Sequence, residues 1–344
     1  MNKISYNLIM IFHYGFSIQG KHHIKKGVCC QDSHIAAKLG DGFYLAAVAD
    51  GVGSARNAQT GSKIAIESIC KFCKEYMPLD DDPESIAAML KTAYNYAFKQ
   101  IYNEALKSNQ ELESYDTTLS AAIYMPNAGI VYGHAGDGAI IGLDVSGKYI
   151  SITRPQKGYD GISVIPLRSF GRRSWEFGLY DGELVSVMLV TDGMLDILSP
   201  TILSHPDYNR TEIYVPLASF FADSAGITEK PEEQEKLRKD IYEFASGNTL
   251  NDEAIFYKRL NESYCGHILD IARSKEIIDS IKAKNFPVQL MRLEQDDKSV
   301  ACIINLFLGK NAFCSNNPPE SYYEEPDWNK LQALYDSNHF RTRL

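Results

Sequence analysis

The sequence predicts an α+β fold in which antiparallel strands pack as layered sheets against helices. Three observations carry that expectation. Two long segments place apolar residues at helical spacing, groups of short strand-like runs lie on either side of them, and short turns rich in Gly, Pro and Asn join those runs. No segment repeats at a fixed period.

The N-terminal "MNKISYNLIMIFHYGFSIQG" has one early Lys and an apolar run broken by His13 and Tyr14. It lacks a small-residue cleavage site and so reads as a first strand rather than a signal peptide. A second strand is expected after Asp32, and residues 43–49 read as a buried third. Over 57–77, Ile64, Ile69, Cys70, Cys73 and Met77 recur at helical spacing. "DDDPESIAAML" opens a second helix over 83–108, with acids followed by Pro83 in the first turn. "TTLSAAIYM", "IVYGHAGDG" and "AIIGLDVSGKYISI" then read as consecutive antiparallel strands. "ELVSVMLVTDG", from Glu183, is another buried strand. Ser199 to about Leu293 is mostly helical and polar, and "KSVACIINLFL" is a final strand before a Pro- and Tyr-containing tail.

The totals narrow the function. With 344 residues, 44% of them hydrophobic and 23% charged, the chain can bury an ample core. A formal net charge of −9 excludes a nucleic-acid backbone as partner, because no basic stripe offsets phosphate repulsion. The seven cysteines (Cys29, Cys30, Cys70, Cys73, Cys265, Cys302 and Cys314) are odd in number and scattered, which suits a reducing compartment. "CKFC" has neither a second pair nor a nearby His and reads as helix packing. No apolar run approaches the length of a membrane span, so a soluble cytoplasmic protein is expected.

The informative pattern is acidic. Asp50 ends a strand in "AAVADGVG", Asp192 ends another in "VMLVTDGMLD", and Asp196 follows one helical turn later. Asp137 sits between glycines in "YGHAGDGA", Asp32 precedes the second strand in "VCCQDSH", and Asp296 and Asp297 precede the last strand. Each Asp-Gly alone is a turn signal. Gathered together, such carboxylates repel one another unless something positive neutralises them, and these segments contain no matching Arg or Lys. A hard divalent cation would do so, and the absence of His-Cys spacing disfavours zinc. Glycine beside an Asp clears side chains away and lets a backbone carbonyl join the coordination. Other sites fail on inspection: "GVGSAR" has Arg56 where a dinucleotide fingerprint needs glycine, and neither a phosphate-binding P-loop nor a nucleophilic-serine elbow occurs.

In order, "CQDS", "ADGVGSA", "DTTLSAAIY", "GHAGDGAI", "LVTDGMLD" and "QDDKSVA" resemble the successive motifs of the metal-dependent type 2C protein serine/threonine phosphatases. The bacterial branch is closest, its opening segment matched by Gly20, His23, Gly27 and Cys30-Gln31-Asp32. The likeness spans roughly residues 15–200 and 290–308, and its specificity lies in six motifs in the right order.

The resemblance implies a four-layer α-β-β-α sandwich with two central antiparallel sheets and a metal site between them. It implies catalytic roles for Asp50, Asp192 and Asp296, with Asp50 bridging two Mn²⁺ or Mg²⁺ ions and the Gly51 carbonyl on one of them. Asp192 and Asp296 complete the first ion's shell, and Asp32 serves the second. Asp137, Asp192 and Asp196 hold a third, weaker ion. The reaction implied is attack of a metal-bridging hydroxide on phosphoserine or phosphothreonine of a protein, a substrate of a Ser/Thr kinase, without a covalent intermediate. Val52 stands where several eukaryotic relatives carry His, leaving His23 or a metal-bound water as proton donor. The usual phosphate-binding Arg is missing, and His23 and Lys25 are the candidates to contact phosphate. The expected organisation is a phosphatase domain over 1–309, a mostly helical insertion at about 199–293, and a C-terminal tail over 310–344. Two other functions fit the same fold: a regulatory scaffold with a degenerate cleft, and a phosphatase of small metabolites.

Overall fold

The computed structural model describes residues 10–40, 42–125, 128–159, 163–169, 174–199, 213–247, 252–263, 279, 282–283 and 286–313. The tail beyond 313, Cys265, Cys314 and parts of the 199–293 segment lie outside the described residues. The strands are β1 (Ile11–Ile18), β2 (Ser33–Gly40), β3 (Phe43–Ala49), β4 (Leu119–Met125), β5 (Gly129–Ala135), β6 (Ala139–Asp144), β7 (Tyr149–Ser151), β8 (Glu176–Tyr180), β9 (Leu184–Val190) and β10 (Lys298–Asn305). The helices are α1 (Lys21–Lys26), α2 (Ala58–Tyr76), α3 (Pro83–Lys107), α4 (Asp192–Leu198), α5 (Val215–Ala222), α6 (Pro231–Ser246), α7 (Asp252–Glu262), α8 (Phe286–Leu293) and α9 (Leu306–Phe313). None of them is long and apolar enough to cross a membrane.

The strands form two five-stranded antiparallel sheets, ordered β1-β10-β9-β6-β7 and β2-β3-β4-β5-β8. Side-chain alternation along each strand explains the layering. In β3, Leu45, Ala47 and Ala49 join the core under α2 and α3, while Ala46 and Val48 face the other sheet. In β10, Val300, Cys302 and Ile304 join a second helical core, while Ala301 and Ile303 fill the space between sheets. Both faces of these strands are apolar because both are covered. The expected four-layer α-β-β-α sandwich is therefore observed.

Local signals hold where they were strong. α3 starts at Pro83 behind Asp82, whose Oδ2 accepts from the Ser85 backbone N–H at 2.9 Å, a side-chain N-cap. Cys70 and Cys73 are buried in the α2–α3 core, as packing residues should be. One expectation needs correcting: β5 and β6 are not neighbours in one sheet. The chain pairs β5 with β4 and β8, then crosses at Gly136-Asp137-Gly138 to pair β6 with β9 in the other sheet. The crossing loop is thereby placed at the rim between the sheets.

The helices after β9 are less polar than the sequence suggested. Phe220 and Phe221 of α5 meet Phe244 of α6 and Phe256 of α7, with ring centroids 4.3 Å apart for Phe220–Phe244. Beneath them, Arg259 is buried and donates to the carbonyls of Phe220, Asp223 and Ala225. These helices share one core with β1, β9 and β10 and cover that sheet's outer face.

Candidate metal centre

Strand register brings the acids together. β2 and β3 pair with Ser33 opposite Ala49, so Asp32 and Asp50, one residue beyond on each strand, meet at the same rim. In the other sheet Val190 is opposite both Val300 and Ala139, which puts Asp192 beside the starts of β10 and β6. Asp296 and Asp137 precede those two strands. The rim where β3 and β9 end and β2, β6 and β10 begin thus collects acids from five separate stretches of chain. One carboxylate oxygen each from Asp50, Asp137 and Asp192 lies within 4.8 Å of the others, close enough to share one cation.

The backbone around each acid is fixed. The Asp50 N–H donates to Thr118 Oγ1 at 2.8 Å, and the Asp50 carbonyl accepts from the Thr118 N–H and the Thr117 hydroxyl, both at 2.8 Å. A Cβ on Gly51 would lie 2.7 Å from the Ala58 backbone and 2.8 Å from the Gln31 carbonyl, so no side chain fits there. Asp192 opens α4, with its Oδ1 accepting from the Gly193 N–H at 2.8 Å. Asp32 accepts the Thr191 hydroxyl on Oδ2 at 2.8 Å.

Around Asp32, Asp50 and Asp192 the electrostatics are those of crowded acids. Burial, with the charges of Asp32, Asp192 and Asp296, pushes the Asp50 carboxyl well above the usual range. Burial, with the charges of Asp137, Asp296, Asp32 and Asp196, does the same to Asp192. Asp32 is raised to about 7 by burial and by Asp297. Asp32 Oδ1 and Asp137 Oδ1 are buried without any hydrogen-bond partner. Buried carboxylate oxygens rarely stay unpaired, and for Asp32, which no ammonium or guanidinium reaches among the described residues, a divalent cation is a suitable partner.

The sequence-derived residues are distributed as follows. Asp32 and Asp137 are buried, Asp50 and Asp192 half-buried, and Asp196 and Asp296 open to solvent at the rim. His23 Nδ1 lies 2.9 Å from Asp297 Oδ2, without hydrogen-bond alignment. Lys25 is exposed on α1.

Two roles were missed. Asp297, buried, accepts from the backbone N–H groups of Gly20 and Gln31, each at 2.6 Å, and so ties the start of β10 to the loops flanking α1. The doubled acid in "QDDKS" was its only signal. The second is that of Lys157, whose Nζ donates to Asp137 Oδ2. Lys157 lies outside the segments that carry the acids, which is why their inspection did not supply a matching cation. Lys157 lies twenty residues beyond Asp137 in an irregular stretch, so no local pattern announces the pair.

The model of the family described as Protein phosphatase 2C matches residues 19–241. The fold is similar to that of a serine/threonine phosphatase from S. agalactiae, with a TM-score of 0.53, 14% identity, and coverage of 86% of this chain and 99% of that one. It is also similar to a structure described as a bacterial serine phosphatase, with a TM-score of 0.50, 11% identity, and coverage of 86% and 98%. At these identities the likeness to solved structures is one of fold. Comparison with curated proteins finds no match.

Proposed function

The chain belongs to the protein phosphatase 2C family, and on that premise we propose that it hydrolyses phosphoserine and phosphothreonine in proteins phosphorylated by a Ser/Thr kinase. The observation that carries the proposal is the gathering of Asp32, Asp50, Asp192 and Asp296 at one rim from four separate stretches of chain, with carboxylate oxygens of Asp50 and Asp192 within 4.8 Å of each other. A scaffold without catalysis has no use for acids whose repulsion destabilises its own fold.

In this reading Asp50, Asp192 and Asp296, with Asp32 and the Gly51 carbonyl, would hold Mn²⁺ or Mg²⁺. When bound, such ions activate water and neutralise charge on the phosphoryl oxygens. The chain's own residues do the rest. Thr117 and Thr118 hold Asp50 through three hydrogen bonds, so little reorganisation accompanies the reaction. Asp297 holds the loops on either side of α1, and through them His23, at the rim beside Asp296. His23 is the candidate to protonate the departing serine or threonine oxygen.

The test is hydrolysis of a phosphothreonine peptide and of an aryl phosphate, with and without Mn²⁺. Turnover that needs metal and favours the peptide supports the proposal. Metal-dependent turnover that favours the aryl phosphate points to the phosphatase of small metabolites instead, and absence of turnover with Mn²⁺ points to the regulatory scaffold.

A further inference from the structure

One carboxylate of the cluster already has a cation. Lys157 Nζ donates to Asp137 Oδ2 and also feels the negative charges of Asp192 and Asp196. Asp137 is only 4% exposed, and with Oδ2 taken it has a single oxygen, the unpartnered Oδ1, left for any other ligand.

The lysine is held there by its backbone. The Gln156 N–H donates to the Gly136 carbonyl at 2.8 Å, and the Gly136 N–H donates to Gln156 Oε1 at 3.2 Å. This two-way clamp joins the residue before Lys157 to the residue before Asp137. On its other side Lys157 bridges to Val164, with the Gly158 N–H on the Ser163 carbonyl at 2.7 Å. The ammonium is thus part of the rim's architecture, although its side chain is 38% exposed.

We infer that Lys157 takes the place of a third divalent ion beside Asp137, Asp192 and Asp196, so that the chain binds two ions where its motifs alone would suggest three. The inference rests on the metal-dependent reading above. An ammonium is a compact point charge that neutralises a carboxylate without needing an octahedral shell. A dication on the same carboxylate would have to displace it or tolerate it as a close like charge. The charge on that side of the cleft is then fixed by the chain and does not follow metal supply.

The test is the number of Mn²⁺ ions bound per chain, read by calorimetric titration and by metal analysis after equilibrium dialysis. The comparison is between the full-length protein and its Lys157→Met variant, with Lys157→Gln in reserve should the Met variant misfold. The wild type is expected to bind two ions. Either variant is expected to bind three, the added one at least tenfold weaker. A wild type that takes three ions, or folded variants that still take two, overturns the inference and leaves the metal-dependent reading standing. Folded wild-type protein that binds none removes both.

Discussion

Thr191, at the end of β9, donates its hydroxyl across the gap between sheets to Asp32 Oδ2 at 2.8 Å. Thr191 Oγ1 in turn accepts the Ser299 N–H at 3.0 Å. One threonine therefore orients an acid from the opposite sheet while it closes the β9–β10 ladder. Replacing it with valine keeps the shape and removes both bonds. Thr191→Val is expected to weaken Mn²⁺ binding by about 10–100-fold, the usual cost of losing a group that orients a metal ligand. Calorimetric titration reads this directly, and unchanged affinity would show that Asp32 needs no orienting partner.

Asp50→Asn separates function from stability. Asp50's hydrogen bonds to Thr117 and Thr118 run through its backbone and survive the change. The repulsion from Asp32, Asp192 and Asp296 does not. The variant is expected to lose metal-dependent turnover, yet its metal-free form should be more stable by about 1–2 kcal/mol, as is common when a strained functional group is neutralised. Chemical denaturation in EDTA measures the gain. A loss of stability there would mean that the carboxylate is not under repulsion.

Acid should stabilise the metal-free protein. The Asp32 carboxyl is held at about 7, above its ordinary value of 3.8, so the folded chain binds a proton more tightly than the unfolded one. Stability from that proton is complete below the ordinary value and is lost as pH rises through about 7, with a slope approaching about 1.4 kcal/mol per pH unit. With saturating Mn²⁺ the trend reverses, because the ligands must be deprotonated to bind. Thermal melts across this window, with EDTA and with Mn²⁺, should slope in opposite directions. Parallel slopes would contradict the metal assignment.

If His23 protonates the leaving group, its loss should depend on what leaves. His23→Gln is expected to lower kcat on a phosphothreonine peptide by roughly 10²-fold. An aryl phosphate, whose leaving group departs without a proton, should be nearly unaffected. Equal losses on both substrates would assign His23 a positioning role through its 2.9 Å contact with Asp297 instead.

Much of this site was legible before any coordinates. Asp50, Asp137 and Asp192 each stand in a short glycine-flanked motif at the edge of an apolar run, and a strand end is a local property. Partners were not legible. Nothing in "QDDKS" separates the exposed Asp296 from the buried Asp297, since both precede the strand and burial depends on which loop packs against them. The apolar face of α6 was similarly obscured, because polar residues dominate its composition and only Ile241, Phe244 and Ala245 are buried in the core it shares with α5.

By itself the sequence determined the alternation of strands and helices, the layered class they build, and the residue types offered to the cleft, because periodicity, capping and turn chemistry act over a few neighbours. Only the tertiary structure decided which acids meet, that β5 and β6 part to different sheets, and that Lys157 reaches Asp137. Those outcomes depend on strand register and on loops clamped across twenty residues or more, where one shifted pairing would place the same side chains on opposite faces.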